Sequence, residues 1–281
     1  MSQIKHFIFI ISTILVFSCT ATTNKQEAEL FVINSTHLAC DDSILVFTPS
    51  NITPQSPTLF LLHGWSGCYT DWSKKYDLQE ISNRSGFRII CPDGFYNSWY
   101  VNDNDTTKMQ WRTFFDEELY PQMKEKFELD PQRTFITGLS MGGQGSLNIF
   151  MDDPSRFRSA ASMSGVLDLC DPVFRISHIE KVLGPRNDTN PRYKEESAIG
   201  RLEEYKEKIG DNSDKIIIVS CGYEDIYNDS AERFAKKCQA LEINHIATFS
   251  KAKHSWDYWG YALEQHLWFF TKILNGENLG Y

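Results

Sequence analysis

The sequence predicts a three-layer α/β fold in which a mostly parallel β-sheet carries helices on both faces. Short apolar runs, such as TLFLL at 58–62 and KIIIVS at 215–220, are typical of strands covered on both faces. Helical patterns separate these runs, and regular alternation of strand and helix favours parallel pairing. The chain has 281 residues, which is enough to bury the core of one large domain.

Eight strands are predicted, each ended by turn-forming or polar residues. In chain order they are ELFVIN (29–34), SILVFTPS (43–50), TLFLLHG (58–64), FRIICPDG (87–94), RTFITG (133–138), RSAASMSG (158–165), KIIIVSCG (215–222) and HIATFS (245–250). The predicted helices lie at 75–86, at 112–127, directly after Ser140, at 229–243 and at 257–274. Residues 170–200, rich in proline and charge, break the alternation and are expected to form an insertion over the carboxyl edge of the sheet.

The first 19 residues have the layout of a secretory signal peptide, because a lysine precedes an apolar run that ends at Phe17. That run is shorter than a typical membrane-spanning helix. Its end, VFSC, is similar to the lipobox of bacterial lipoproteins, although Phe17 replaces the small residue common there. We therefore expect lipidation at Cys19, a flexible tether over 20–29 and one folded domain over 30–281. The mature protein is expected to be exported, either anchored at the periplasmic or cell surface or secreted.

Charge and cysteine content limit the partners and the compartment. Acidic residues outnumber basic ones by 37 to 28, and binding to nucleic acid needs a basic face, so nucleic acid is not an expected partner. Contact with a membrane is expected only through the lipid anchor. Export makes the remaining cysteines candidates for disulfides, and buried free thiols are the alternative that the sequence leaves open. These cysteines are Cys40, Cys68, Cys91, Cys170, Cys221 and Cys238.

A G-x-S-x-G pattern, GLSMG at 138–142, follows the fifth predicted strand. In a nucleophile elbow a strand runs into a strained turn that exposes the serine Oγ, and a helix starts at once. Gly138 and Gly142 are needed because side chains there would collide with neighbouring backbone. The flanking strand and helix patterns predict that Ser140 is a nucleophile. The alternative is a turn serine that caps the helix.

A serine hydroxyl is unreactive unless a base accepts its proton and an acid orients that base. In this kind of elbow the chain order is serine, acid, histidine. His254 is the predicted base, because it follows the last strand and precedes the last helix. The other downstream histidines fit less well: His178 lies in the insertion, His245 starts a strand, and His266 belongs to a helical pattern as a packed or solvated residue.

The acid is expected in the loop after the preceding strand, where the sequence YED occupies 223–225. Asp225 is preferred to Glu224. The alternative for either carboxylate is a solvated loop residue or the N-cap of the next helix.

Acyl transfer also needs two preorganised donors for the negative charge that develops on the acyl oxygen. One is the backbone N–H of Met141, the residue after the serine. The other is expected in the loop after the third strand, where Gly64 permits a sharp turn and the N–H of Trp65 can point inward. The side chain of His63 is expected to be structural.

Taken together, these segments resemble the esterase D-like branch of the α/β-hydrolases. That branch includes S-formylglutathione hydrolases, feruloyl and acetyl xylan esterases, and mycolyltransferases. The resemblance covers about 30–275 and rests on motifs in the family order: LFLLHGWSGCYTDW, IICPDGFYNSWYV, DEELYPQM, RTFITGLSMGGQGSL, CGYEDIY and KHSWDYW. It implies the α/β-hydrolase fold and the same triad and donor residues as those reached above.

The resemblance further implies that Asp71, Trp72 and the loop around Trp99 border the substrate cleft. Aromatic walls suit a sugar face or an aromatic acyl group, and buried tryptophans are as often plain core. The segment SKAKH stands where glycines are frequent in the family, so the shape of the pocket is left open. An export signal favours the polysaccharide-associated esterases over the cytoplasmic thioester hydrolases.

The sequence thus predicts a serine carboxylesterase that removes acetyl or feruloyl groups from a carbohydrate ester, with no metal or organic cofactor. A thioester hydrolase of the S-formylglutathione hydrolase type, or an acyltransferase, is the nearest alternative. A noncatalytic carbohydrate-binding lipoprotein is a third, since a fold alone does not prove activity.

Overall fold

The computed structural model describes residues 28–174, 179–211, 213–277 and 279. These residues contain an eight-stranded sheet with the strand order β1-β2-β4-β3-β5-β6-β7-β8. The β1–β2 and β2–β4 pairs are antiparallel and the other pairs are parallel, which confirms the mostly parallel sheet. The strands are β1 (Glu29–Ile33), β2 (Asp42–Phe47), β3 (Thr58–Leu62), β4 (Arg88–Pro92), β5 (Thr134–Gly138), β6 (Ser159–Met163), β7 (Ile216–Gly222) and β8 (His245–Ser250).

Helices cover both faces of this sheet. They are α1 (Asp71–Lys75), α2 (Leu78–Ser85), α3 (Trp111–Phe114), α4 (Tyr120–Phe127), α5 (Met141–Asp152), α6 (Glu180–Leu183), α7 (Arg192–Glu195), α8 (Leu202–Ile209), α9 (Asn228–Ala240) and α10 (Trp256–Leu274). A π-helical turn (Phe115–Leu119) joins α3 to α4, and 3-10 turns occupy Pro131–Arg133, Pro154–Arg156 and Ala198–Arg201.

The inner strands β3 to β7 bury side chains on both faces, which explains their apolar character, whereas the edge strand β1 leaves Leu30 and Val32 exposed. In β3, Phe60 and Leu62 join the core beneath α5 and α9, whereas Leu59 and Leu61 join the core beneath α2 and α10. Successive residues of a strand point to opposite faces, so each core takes every second residue. The three-layer architecture predicted from the sequence is confirmed.

The helices differ from the prediction in several places, and the short helices α1, α6 and α7 were not predicted. The predicted helix at 112–127 is divided by the π-helical turn, because Pro121 has no N–H to donate to the carbonyl of residue 117. Helix α8 was not predicted: it buries only Leu202 and Tyr205, so its apolar stripe is too narrow to stand out from its charged residues. The region 170–200 contains α6 and α7, and His178 lies outside the described residues.

All six cysteines of the described region are free thiols. Cys91, Cys221 and Cys238 are buried, as expected of cysteines that pack as small apolar residues. Cys19, the proposed signal and residues 20–27 of the predicted tether lie outside the described residues, whereas Glu29, the last residue of that tether, already belongs to β1. Within the described part of the chain, no helix combines the length and the apolar character needed to cross a membrane.

A buried histidine fastens α10 to the sheet. His266 is fully buried, and its Nδ1 lies 2.9 Å from the Thr137 Oγ1 of β5. Its Nε2 lies 2.8 Å from the Ser220 Oγ of β7. Burial disfavours the charged imidazolium and lowers the pKa of His266 to about 3. Of the two alternatives left open by the sequence, packed or solvated, the structure shows a packed histidine.

We therefore predict that His266 makes the fold less stable in acid. An unfolded histidine binds a proton near pH 6.5, so between that pH and about 3 the unfolded chain holds the extra proton. The free energy of unfolding should fall by about 3 kcal/mol between pH 6.5 and 4 from this group. Urea unfolding of wild type and His266→Gln at pH 7, 5.5 and 4 measures the difference. Equal pH dependence in both proteins would contradict the prediction.

Candidate active site

Ser140 stands in a strained turn between β5 and α5. Its φ is 53° and its ψ is −115°, a backbone conformation that L-residues rarely adopt. The Ser140 N–H donates to the carbonyl of Met163 at 2.9 Å, and the Ser140 carbonyl accepts from the Gln144 N–H at 3.1 Å. The turn is therefore fixed to β6 on one side and opens α5 on the other.

The glycines that flank the turn are required by close backbone contacts, as the sequence predicted. A Cβ atom at Gly138 would lie 2.5 Å from the carbonyl oxygen of Gly142. A Cβ at Gly142 would lie 2.4 Å from the carbonyl oxygen of His63. Because backbone atoms cannot move aside as a flexible side chain can, larger residues at either position would displace the serine turn.

The structure brings the three predicted side chains into one hydrogen-bonded row. The Nε2 atom of His254 lies 3.0 Å from the Oγ atom of Ser140. On the other side of the ring, Nδ1 lies 2.9 Å from Oδ2 and 3.2 Å from Oδ1 of Asp225. The carboxylate accepts, so Nδ1 carries the proton and Nε2 presents its lone pair to the serine hydroxyl.

Neighbouring groups fix the carboxylate and the ring. Asp225 Oδ1 also accepts from the backbone N–H of Tyr227 at 2.9 Å, and the Asp225 side chain is fully buried. The imidazole of His254 meets the Tyr227 ring edge-to-face at 5.2 Å and the Trp259 ring at 4.9 Å. These contacts restrict the rotation of His254 and leave about a quarter of its side chain exposed.

The rejected sequence candidates lie elsewhere. Glu224 is exposed and its Oε2 lies 3.9 Å from the Nζ of Lys253. His245 Nδ1 lies 2.9 Å from the carbonyl of Ile243. His63 has a structural position, because its Nδ1 donates to the Gly64 carbonyl at 2.8 Å while its Nε2 accepts from the Gly94 N–H at 2.7 Å.

The two predicted donor residues flank the serine turn. Met141 is the first residue of α5, and N–H groups in the first turn of a helix have no intrahelical acceptor. The loop that carries Trp65 passes beside the turn: a Cβ at Gly64 would lie 2.4 Å from Leu139 Cδ1 and 3.6 Å from Ser140 Cβ. The absence of a side chain at Gly64 permits this close approach.

A cavity of about 520 Å³ opens above Ser140, and four tryptophans and one tyrosine are among the residues that line it. Asp71 and Trp99 line it, as the resemblance implied. Trp72, which was also expected to border the cleft, does not line the cavity. It lies behind the cavity wall and supports it. Its indole is 1% exposed, donates to the Leu62 carbonyl at 3.1 Å and packs against Trp256.

Further lining residues were missed from the sequence. Ile226 and Tyr227 follow the acid directly, and Ser255, Trp256 and Trp259 follow the histidine. Their nearness in the chain to Asp225 and His254 is the signal that could have identified them. No group of three or more His, Cys, Asp and Glu side chains in the described ranges is placed to hold a metal ion.

Comparison with known proteins decides the family. The Esterase family model matches residues 35–270, which is most of the chain. The chain belongs to the Esterase family. This member is 24% identical over 229 residues to an acetyl esterase of Caldicellulosiruptor saccharolyticus, in an alignment that spans 77% of this chain and 84% of that protein. It is 28% identical over 166 residues to the S-formylglutathione hydrolase of Mus musculus, over 52% of this chain and 58% of that protein.

Solved structures confirm the α/β-hydrolase fold of this esterase. A ferulic acid esterase superposes with a TM-score of 0.74 at 23% identity, covering 88% of this chain and 98% of the other. The fluorophosphonate-binding serine hydrolase F of Staphylococcus aureus superposes with a TM-score of 0.75 at 20% identity, covering 87% and 98%.

Proposed function

We propose that this Esterase-family hydrolase is a serine carboxylesterase that removes acetyl or feruloyl groups from carbohydrate. The observation that supports the proposal is the hydrogen-bonded row of Asp225, His254 and Ser140. A serine with only a structural role does not require a buried carboxylate that is hydrogen-bonded to a neighbouring imidazole. A nucleophilic serine needs both, because the imidazole must accept the hydroxyl proton and the carboxylate must stabilise the imidazolium that forms.

In the proposed first half-reaction, the Ser140 Oγ attacks the ester carbonyl carbon while His254 Nε2 takes the hydroxyl proton. The carbonyl π electrons move to the oxygen and give a tetrahedral oxyanion. When the intermediate collapses, the carbon–oxygen bond to the alcohol breaks and His254 returns the proton to the leaving oxygen. The products are the free alcohol and an acyl group on Ser140.

In the second half-reaction, water replaces the alcohol. His254 takes a proton from the water as it attacks the acyl carbon, and then returns a proton to Ser140 as the acid is released. Asp225 stays ionised and keeps the proton of the neutral imidazole on Nδ1. The proposed steps need neither a metal nor an organic cofactor.

The proposed oxyanion donors are the backbone N–H groups of Met141 and Trp65. Their positions at the start of α5 and beside the serine turn support this assignment. Donors fixed before the reaction cost no reorganisation as charge develops, and loss of one typically lowers the rate by about 10²–10³-fold.

The walls of the cavity support an ester of a sugar or of an aromatic acid. Trp256 is partly exposed in the cavity, and its flat apolar face suits the C–H face of a pyranose or an aromatic acyl ring, while the buried Trp99 and Trp259 complete the wall. Asp71 places an acceptor for a hydroxyl group in the same cavity. The relatives named acetyl esterase and ferulic acid esterase agree with this class. The apolar run before Cys19 supports export, with a lipid anchor at that cysteine.

The roles of the two adjacent carboxylates give a direct test. Asp225→Asn should lower kcat for p-nitrophenyl acetate by about 10³–10⁴-fold, because the amide stabilises the wrong imidazole tautomer. Glu224→Gln is the matched control and should keep kcat within about twofold, since the Glu224 side chain is exposed and pairs with Lys253 rather than with His254. Ser140→Ala gives the background rate. Activity that survives in Ser140→Ala would refute the proposal.

A second candidate, thioester hydrolysis or acyl transfer by the same residues, is favoured by the likeness to S-formylglutathione hydrolase. Four substrates separate the candidates: acetylated xylan, feruloylated oligosaccharide, S-formylglutathione, and an acyl donor offered with a sugar acceptor. We expect kcat/KM to be highest for one of the two carbohydrate esters, because tryptophans line the cavity. A preference for S-formylglutathione, or acylated sugar as the main product, would establish the second candidate.

A further inference from the structure

We propose that Asn97 is a positioning residue that holds the oxyanion-stabilising loop in place. The inference rests on the proposed function, in which the backbone N–H of Trp65 stabilises the oxyanion. Asn97 lies in the segment 93–101 that follows β4, and it is remote in sequence from the serine, the histidine and the acid.

One amide oxygen of Asn97 bonds to two tryptophans. Asn97 Oδ1 accepts from the indole Nε1–H of Trp65 at 3.0 Å and from the indole Nε1–H of Trp99 at 3.1 Å. An amide oxygen has two lone pairs, and here each serves one tryptophan. Asn97 thus joins the proposed oxyanion loop to a wall of the cavity.

Trp99 is the fixed partner of this pair. Its side chain is 1% exposed and meets the Phe174 ring edge-to-face at 4.9 Å. Trp99 and the next residue, Tyr100, each have a φ of 56°, an unusual conformation for residues other than glycine. The hydroxyl of Tyr100 donates to the His63 carbonyl at 2.8 Å and helps to hold this conformation.

Trp65 is the less buried partner of this pair. It is only partly buried, and the residue after it, Ser66, has a φ of 63°. The segment 93–101 also bonds to the loop on either side of Trp65: Gly94 N–H donates to His63 Nε2 at 2.7 Å, and Ser66 N–H donates to the Tyr96 carbonyl at 2.9 Å. Asn97 adds a bond to the side chain of Trp65 itself.

A bond to the Trp65 side chain matters because the side chain and the backbone N–H share one Cα atom. Fixing the indole limits the rotation of the peptide that carries the N–H. Oxyanion stabilisation depends on donors held at about 2.7–3.1 Å from the position that the oxyanion takes in the transition state. Loosening Trp65 should therefore raise the barrier to reaction and leave ground-state binding nearly unchanged.

Steady-state kinetics with p-nitrophenyl acetate test this inference. Asn97→Leu removes the acceptor, and Trp65→Phe removes the indole donor while it keeps the backbone N–H. Each variant should lower kcat about tenfold with KM within about twofold of wild type. Because both variants break the same bond, the double variant should be no slower than the slower single variant. A kcat within twofold of wild type in both single variants, or about a hundredfold loss in the double variant, would overturn the proposal.

Asn83→Leu is the matched control for a general loss of stability. Asn83 Oδ1 accepts bonds from the N–H and Oγ of Ser50 at 2.8 and 3.0 Å and from the Gln79 Nε2–H at 3.1 Å, outside the cavity. It should lower the thermal midpoint without lowering kcat. If Asn97→Leu does not fold, the kcat of Trp65→Phe alone tests the proposal, and a tenfold loss is again expected.

Ser140→Ala, assayed in parallel, separates this inference from the function on which it rests. If Ser140→Ala is inactive while Asn97→Leu and Trp65→Phe both keep the wild-type kcat, the positioning role fails and the esterase mechanism stands. If Ser140→Ala keeps its activity, the mechanism fails, and the positioning role fails with it.

Discussion

The close contact between the serine turn and the end of β3 is the constraint on which the site depends. Gly142 packs so tightly against the backbone of Leu62 and His63 that a Cβ there would lie 2.8 and 2.4 Å from their carbonyl oxygens. This contact sets how far Ser140 rises from the sheet. It also brings the serine beside the loop of Trp65, which leaves the same strand, so one packing contact positions both the proposed nucleophile and the proposed oxyanion donors.

The parallel register of β7 and β8 then determines where the other two groups meet. Gly222 is paired with Ser250 at the carboxyl ends of these strands. The loops beyond continue the pairing, since Tyr223 N–H donates to the Ser250 carbonyl at 2.8 Å and Glu224 N–H donates to the Ala252 carbonyl at 3.0 Å. Backbone hydrogen bonds, which do not depend on the two side chains, thus bring Asp225 and His254 close together.

Much of this arrangement follows from the sequence because the strong signals are local. Most of the eight strands are short runs rich in apolar residues, and the order of serine, acid and histidine follows from the position of each residue at a strand end. Two of the misplaced or missed features depend on side-chain contacts that the sequence pattern does not show. Trp72 turns under the cavity to bond the Leu62 carbonyl, and Asn97 gains its role from two indoles that only the fold brings together. Nothing in the spacing of these residues reveals either contact.

The central claim is that His254 and Asp225 turn an ordinary hydroxyl at Ser140 into a nucleophile. Reaction with a fluorophosphonate, followed by intact-mass analysis and peptide mapping, tests this most directly. The account predicts one adduct per chain on Ser140, formed at least about 10²-fold more slowly in His254→Ala, because the serine then has no general base. An unlabelled wild-type chain, an adduct on another residue, or equal labelling rates in the two proteins would contradict it.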